Sequence, residues 1–188
     1  MPLPAINPIA APRTTLREIR ADDLSTLMDV NGDPAVTQFL PYATWQSMPD
    51  AAAWWERMST LVATGSARQL VIVRNLDSRV IGTALLFKFD EGSNRLELGY
   101  ALGRDHWRQG YAAEALRALL SHAFSVMRIR RVEAEVNPGN TASNALLKSL
   151  GFSHEGYLRE RWVAKGATYG VNFYGLLAAE WRVDAASV

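Results

Sequence analysis

The sequence predicts one α/β domain, a mixed and mostly antiparallel sheet flanked by helices. Three observations carry that prediction. Segments of alternating apolar residues are interleaved with segments of helical spacing along the chain. Residues 69–74, 80–89 and 95–102 form a run of three strands with turn residues between them, as in a meander. The order that results is strand, two helices, three-strand meander, helix, strand, helix, hairpin, within 188 residues that are 48% apolar. That length suits one domain with one sizeable core.

Each element has its own warrant. Residues 14–19 read as a first strand. Residues 21–30 read as a short helix with Leu24, Leu27 and Met28 on one side, stopped by Asn31, Gly32, Asp33 and Pro34. A second helix starts near Met48, because Ser47 and Asp50 have capping-box spacing and Pro49 fits the first turn. Trp55, Met58 and Val62 then fall on one face as core, with Trp54 and its neighbours as alternative lining of a groove. Asn75 to Ser78 is a hairpin signal. In 95–102, Leu96, Leu98, Tyr100 and Leu102 share one face, and Glu97, Gly99 and Ala101 share the other. Residues 110–127 read as a helix with Ala112, Leu116, Leu119, Leu120, Ala123 and Met127 inward. A strand over 131–136 follows. Asn140 caps a helix that ends near Leu150, where Gly151 suits the C′ position. Residues 152–163 and 168–177 make a last hairpin through Lys165 and Gly166. The domain is expected over 14–182. Residues 1–13, broken by four prolines, read as a flexible or loosely docked tail, and 183–188 as a C-terminal tail.

Composition excludes several classes. The chain has no cysteine, so disulfides, thiolate metal sites and a covalent acyl-cysteine are ruled out. Its three histidines, at 106, 122 and 154, lack metal-ligand spacing, and no metal is expected. The net charge of +1 speaks against a large nucleic-acid footprint. The basic cluster Arg128, Arg130 and Arg131 reads as the solvated end of a helix. No apolar run is long enough to span a membrane, and the N-terminus lacks the basic start of a signal peptide. A cytoplasmic protein is expected.

The most informative stretch is residues 107–116. It joins a strand to a helix, and Gly110 and Ala112 are small where the turn is tightest. Such a backbone can turn several N–H groups on one anion, helped by the helix dipole. It reads as a pyrophosphate cradle, or as a glycine that merely eases the turn. It is neither a P-loop nor a dinucleotide fingerprint. A second segment, residues 137–144, ends at Gly151 and Phe152.

Together these segments resemble the GNAT-type N-acetyltransferase superfamily. The family's Gln/Arg-x-x-Gly-x-Gly/Ala turn corresponds to residues 107–112, with Trp107 where the pattern has Gln or Arg. Trp107 followed by Gly110, Tyr111, Ala112, Glu114 and Ala115 is similar to the branch that acetylates N-terminal Ser or Ala of ribosomal proteins. Asn140, Ser143, Gly151, Phe152, Glu155 and Gly156 make the second match. The likeness runs from Thr15 to Trp181.

The resemblance implies acetyl-CoA as co-substrate and direct transfer to an amine. Its site would then comprise the main chain of Tyr100, Ala101 and Leu102, the turn residues Arg108, Gln109, Gly110, Tyr111 and Ala112, and Asn140 and Ser143. The reaction wants a base, an oxyanion donor and an acid. Glu97 is the candidate base, on a face where Gly99 and Ala101 leave room. Its alternative is an exposed strand glutamate, or an ion-pair partner of Arg95 or Arg131. Main-chain N–H groups of residues 100–102 would polarise the thioester. The family's usual tyrosine acid falls on Leu147. Ser143 is the substitute, compatible with helping to cap its helix, and Tyr174 is the weaker one. The thiol of CoA is a fair leaving group, so an acid is not required. Asn140 contacts the pantetheine or caps the helix. Arg108 and Gln109 reach the phosphates or the adenosine end, and Arg108 alternatively is a solvated loop charge.

An α-amine has a reference pKa ~2.5 units below that of lysine, so less work is needed to deprotonate it. With the branch resemblance, this favours a protein or peptide N-terminus. A small amine (amino acid, antibiotic or polyamine) is the alternative. Asn172, where the family often has an acidic residue, speaks against a polycation. A non-catalytic acyl-CoA sensor is the competing class, with Leu147 as its support. A homodimer would use the final strand or the Trp-rich helix.

Overall fold

The computed structural model describes residues 2–182. Eight strands form one sheet, in the order β1-β2-β3-β4-β5-β6-β8-β7. The strands are β1 (Ile9–Ala10), β2 (Thr14–Glu18), β3 (Ala67–Arg74), β4 (Arg79–Asp90), β5 (Arg95–Leu102), β6 (Arg131–Val136), β7 (Ser153–Ala164) and β8 (Ala167–Leu177). The helices are α1 (Leu24–Asn31), α2 (Pro34–Thr37), α3 (Met48–Ala63), α4 (Tyr111–Ser125) and α5 (Thr141–Ser149). Every neighbouring pair of strands is antiparallel except β5 and β6, which are parallel because α4 carries the chain back between them. The mixed, mostly antiparallel sheet is thus the one the sequence predicts.

Each sheet face carries its own core. On one side Leu16, Ile72, Leu86, Leu96 and Leu98 pack against Leu116, Leu119 and Leu120 of α4 and Leu147 of α5. These positions in α4 follow helical spacing, and all three leucines are at most 1% exposed. On the other side Leu24 and Leu27 of α1 and Trp54 of α3 cover Val71, Val80 and Ala101. Trp54 packs against Trp45, with ring centres 5.4 Å apart and planes tilted by 59°, and is buried, so it is core and does not line a groove. The α3 start is as read: Asp50 accepts from the N–H groups of Ser47 at 3.0 Å and Gln46 at 2.8 Å.

Four expectations change. Residues 2–13 are packed onto the sheet. Leu3 and Ile6 are 1% and 5% exposed, and β1 pairs with β2. The Leu3 N–H donates to Gly65 O at 2.9 Å, while Arg68 donates to Leu3 O. Gly65, at φ +68°, is what lets Pro2 approach, since a Cβ there would collide with the proline ring. Prolines forbid a regular element here, but they do not stop apolar side chains from covering a sheet edge. The predicted tail 183–188 lies outside the described residues. Second, residues 31–34 end α1 as expected, but Pro34 also begins another helix. With Asp33 as cap, whose Oδ1 accepts from Ala35 N–H at 2.8 Å, it starts the short α2. Third, α4 ends at Ser125, so Met127 lies beyond it. Fourth, the basic cluster is no helix end. Arg130 donates to Ser93 O, and Arg131 opens β6, bound to Glu133 and Glu155.

One irregularity shapes everything that follows. β5 and β6 pair at only three positions, Arg95 with Arg131, Leu96 with Val132 and Glu97 with Glu133. Beyond them β5 stays with β4 as far as Leu102, and β6 stays with β8 as far as Val136. The two strands therefore open into a wedge in the middle of the sheet.

Candidate active site

The wedge exposes one edge of β5 from residue 98 to 102, a row of backbone groups with no strand beside it. Tyr100, Ala101 and Leu102, expected to offer main-chain donors, lie on this edge. The turn follows directly. Gly110 is the N-cap of α4 in the left-handed region, at φ +81° and ψ −3°, and Arg108 is left-handed too, at φ +58°. The first bond of the helix runs from Glu114 N–H to Gly110 O at 3.0 Å. The N–H groups of Tyr111, Ala112 and Ala113 are therefore not consumed within the helix and face its open end.

Side chains close this turn. Trp107 donates its indole N–H to Leu102 O at 2.7 Å, tying the turn to the last residue of β5. Its place in the motif is thus structural, although its ring is 40% exposed. Gln109 donates to Asp105 O at 2.7 Å, so its amide is engaged inside the loop and not aimed at a phosphate. Arg108 is exposed. His106, which packs edge-on to Tyr111, has its pKa lowered, first by burial and then by Arg74 and Arg79.

Glu97 sits at the fork of the wedge, 6% exposed. Neither an exposed glutamate nor a partner of Arg95 or Arg131, it receives Lys88 Nζ at 2.7 Å. Arg95 and Arg131 are instead taken by Glu133, each at 2.8 Å. Lys88 stands in a bulge of β4 at φ +51°, 3.7 Å from Glu135, with its ammonium 5.3 Å from the ring centres of Phe87 and Trp162. Burial raises the Glu97 pKa, Lys88 opposes that rise, and Glu135 and Glu133 add to it. Glu135 is buried as well, but the bonds from Arg161 and Trp162 outweigh burial and hold its pKa down. Beside Glu97, Gly99 leaves space: a Cβ there would make only ordinary contact with Phe87 at 3.6 Å. Ala101 leaves none, being packed under α1 and α3.

On the opposite face the hydroxyls of Tyr100 and Ser143 lie 2.6 Å apart. Tyr100 belongs to β5 and Ser143 to the helix after β6, so this bond spans the two arms of the wedge. Burial pushes Tyr100 up to about 12, so it keeps its proton at neutral pH. Asn140 caps α5, its Oδ1 accepting from Ser143 N–H at 3.1 Å.

Tyr174 is a different case. It is 1% exposed, and its hydroxyl donates to Asn144 Oδ1 at 2.7 Å. Asn172 donates to the same oxygen at 2.8 Å, and Asn144 donates to Asn140 O and Asn137 O. Tyr174 is thus a post that holds the start of α5 on the sheet, and its proton is not presented to a ligand. Leu147 is fully buried in the same core. Lys88 and Asn144 were not singled out from sequence. A bulge hides the first, because it turns Lys88 onto the face of Glu97 against strand alternation. The second is an ordinary helix asparagine until β8 is laid beside it.

A wedge with an unpaired strand edge, followed by a helix start with open N–H groups, is the arrangement that the resemblance implies for an acyltransferase taking its acyl group from a CoA thioester. Residues 13–153 match the family model for the acetyltransferase (GNAT) domain, and the chain belongs to that family. It is similar to the uncharacterized N-acetyltransferase p20 of Bacillus licheniformis, 35% identical over 169 residues, which cover 90% of this chain and 95% of that one. It is also similar to the [ribosomal protein uS5]-alanine N-acetyltransferase of Escherichia coli, 30% identical over 107 residues, covering 56% and 48% of the two chains. Its fold matches the spermidine N-acetyltransferase of Vibrio cholerae solved with CoA and spermine, with TM-score 0.78, 18% identity and coverage of 89% and 97%. The protein is an N-acetyltransferase that moves an acetyl group from acetyl-CoA to an amine. Among the described residues no helix is long and apolar enough to cross a membrane.

Proposed function

We propose that the acceptor is the α-amine of a protein or peptide N-terminus, of the ribosomal Ser or Ala kind. The observation that carries this reading is the setting of Glu97: buried at the fork, with its pKa raised by burial, and held by one lysine. Such a carboxylate can take a proton from an amine of moderate pKa. An α-amine at ~7.7–8.0 asks for roughly 3 kcal/mol less than a lysine at ~10.4.

In this mechanism the acceptor displaces Lys88 from Glu97 and loses a proton to it. The amine nitrogen then bonds to the thioester carbon as the C–S bond breaks. Main-chain N–H groups of residues 100–102 polarise the carbonyl; the nitrogen sheds its second proton as the C–N bond forms, and that proton passes through the Ser143 hydroxyl, held by Tyr100, to the departing thiolate, while Glu97 returns the first proton to solvent. The α4 turn holds the diphosphate. The partial match to an alanine N-acetyltransferase supports the acceptor class. A polycationic acceptor is less favoured. Glu133 and Glu135 lie on the face of Glu97, yet Arg95, Arg131 and Arg161 already neutralise them.

Thiol release from acetyl-CoA tests this, with peptides starting in Ser or Ala beside polyamines, free amino acids and aminoglycosides. Release with the peptides alone is expected. Release with a small amine alone overturns the acceptor and keeps the enzyme. Tight acetyl-CoA binding without release in the panel removes the peptide reading and favours a sensor.

A further inference from the structure

We infer that Arg13, ahead of the first long strand, is a direct ligand for the diphosphate of the acyl donor, completing the cradle from outside the turn motif. The inference rests on the donor reading of the α4 turn. Arg13 is clamped at the open end of α4. Its backbone N–H and its Nε both donate to Glu114, each at 2.7 Å, and Nη1 donates to Gln109 O at 3.0 Å. The guanidinium lies 4.7 Å above the Tyr111 ring. These contacts use Nε and Nη1 and leave Nη2 for another acceptor. That nitrogen stands over the turn, 3.2 Å from where a Cβ on Gly110 would be, and half the side chain is exposed.

The arrangement suits an anion. Glu114 puts a carboxylate in the first turn of α4, and its pKa is held down by Arg13 and by the Thr14 hydroxyl, against burial, so it is ionised at neutral pH. Alone it would repel a phosphate. Paired, its charge is spent on fixing a guanidinium beside three inward-facing N–H groups. The remaining Nη2 can give a phosphate oxygen one charge-assisted hydrogen bond. Arg13 lies about a hundred residues before the turn, so no local motif reveals it.

The test compares two ligands of the full-length chain by calorimetry: coenzyme A, and pantetheine, which lacks the diphosphate. In Arg13→Gln the Kd for coenzyme A should rise about tenfold, as for loss of one charged hydrogen bond. The Kd for pantetheine should not change. Arg13→Lys keeps a charge opposite Glu114 and guards against a folding defect; it should show a smaller loss, again for coenzyme A alone. Equal losses for both ligands in either variant, or an unchanged coenzyme A affinity in Arg13→Gln, overturn the assignment. If the wild-type chain does not bind coenzyme A, the donor reading falls together with it.

Discussion

The two ends of the wedge are built by different means. The proposed donor end is built mostly of backbone: an unpaired strand edge, three N–H groups not used within the helix and a left-handed glycine, tied by bonds that mostly link residues within one loop. At the acceptor end, side chains from three strands meet: Lys88 from β4, Glu97 from β5, Glu135 from β6, with Trp162 from β7 closing over them. Backbone sites suit a ligand part that never changes, since a substitution seldom alters them. Side-chain sites suit a partner that differs between relatives, since one substitution re-aims them.

If the division is correct, variants at the two ends should fail differently. Glu97→Gln removes the base and should lower kcat about 10²-fold or more while coenzyme A affinity stays put. An unchanged kcat takes Glu97 out of the mechanism. Gly110→Asp adds an anion and a side chain at a left-handed position, and should weaken coenzyme A binding by about 10²-fold. Normal binding by that variant would falsify the cradle. Ser143→Ala should cost about tenfold in kcat, the scale of one hydroxyl hydrogen bond, with the Asn140 cap left in place. A matching loss of thermal stability, without a loss of kcat, would reduce Ser143 to a helix-start residue.

The smallest effect is a pH shift. Lys88 holds the Glu97 pKa below the level burial alone would set. Glu97 must be deprotonated to act, so kcat/KM falls as pH drops through its pKa. Removing the ammonium in Lys88→Ala lets that pKa rise, and the acidic limb should move to higher pH. A limb that stays in place, or moves to lower pH, would show that Lys88 does not govern the base.

The same contrast explains what could be read from sequence. Strands 95–102 and 131–136 appear at those residues, because alternation is a local property and their ends carry turn signals. The turn at Gly110, the cap at Asn140 and the pair Ser47 and Asp50 are also spacing effects within four residues. Leu3 and Ile6 were hidden because prolines disguise an irregular but buried segment. Lys88 was hidden by a bulge, Arg13 by separation along the chain, and the burial of Tyr174 by its partner on α5. Glu97 was legible as a candidate, since it shares a strand face with the small residues Gly99 and Ala101 on the strand that carries the family resemblance; its partner was not.

The docking of the segment around Leu3 has a practical consequence for anyone expressing this enzyme. Pro2 helps line the cleft that also includes Leu61, Phe87, Lys88 and Phe89. A purification tag fused ahead of Pro2 would therefore begin beside the lysine that guards the base, and a peptide tail is the kind of molecule the acceptor end is proposed to receive. Such a tag could act as a tethered competitor, so assays are better run with the affinity handle at the other terminus.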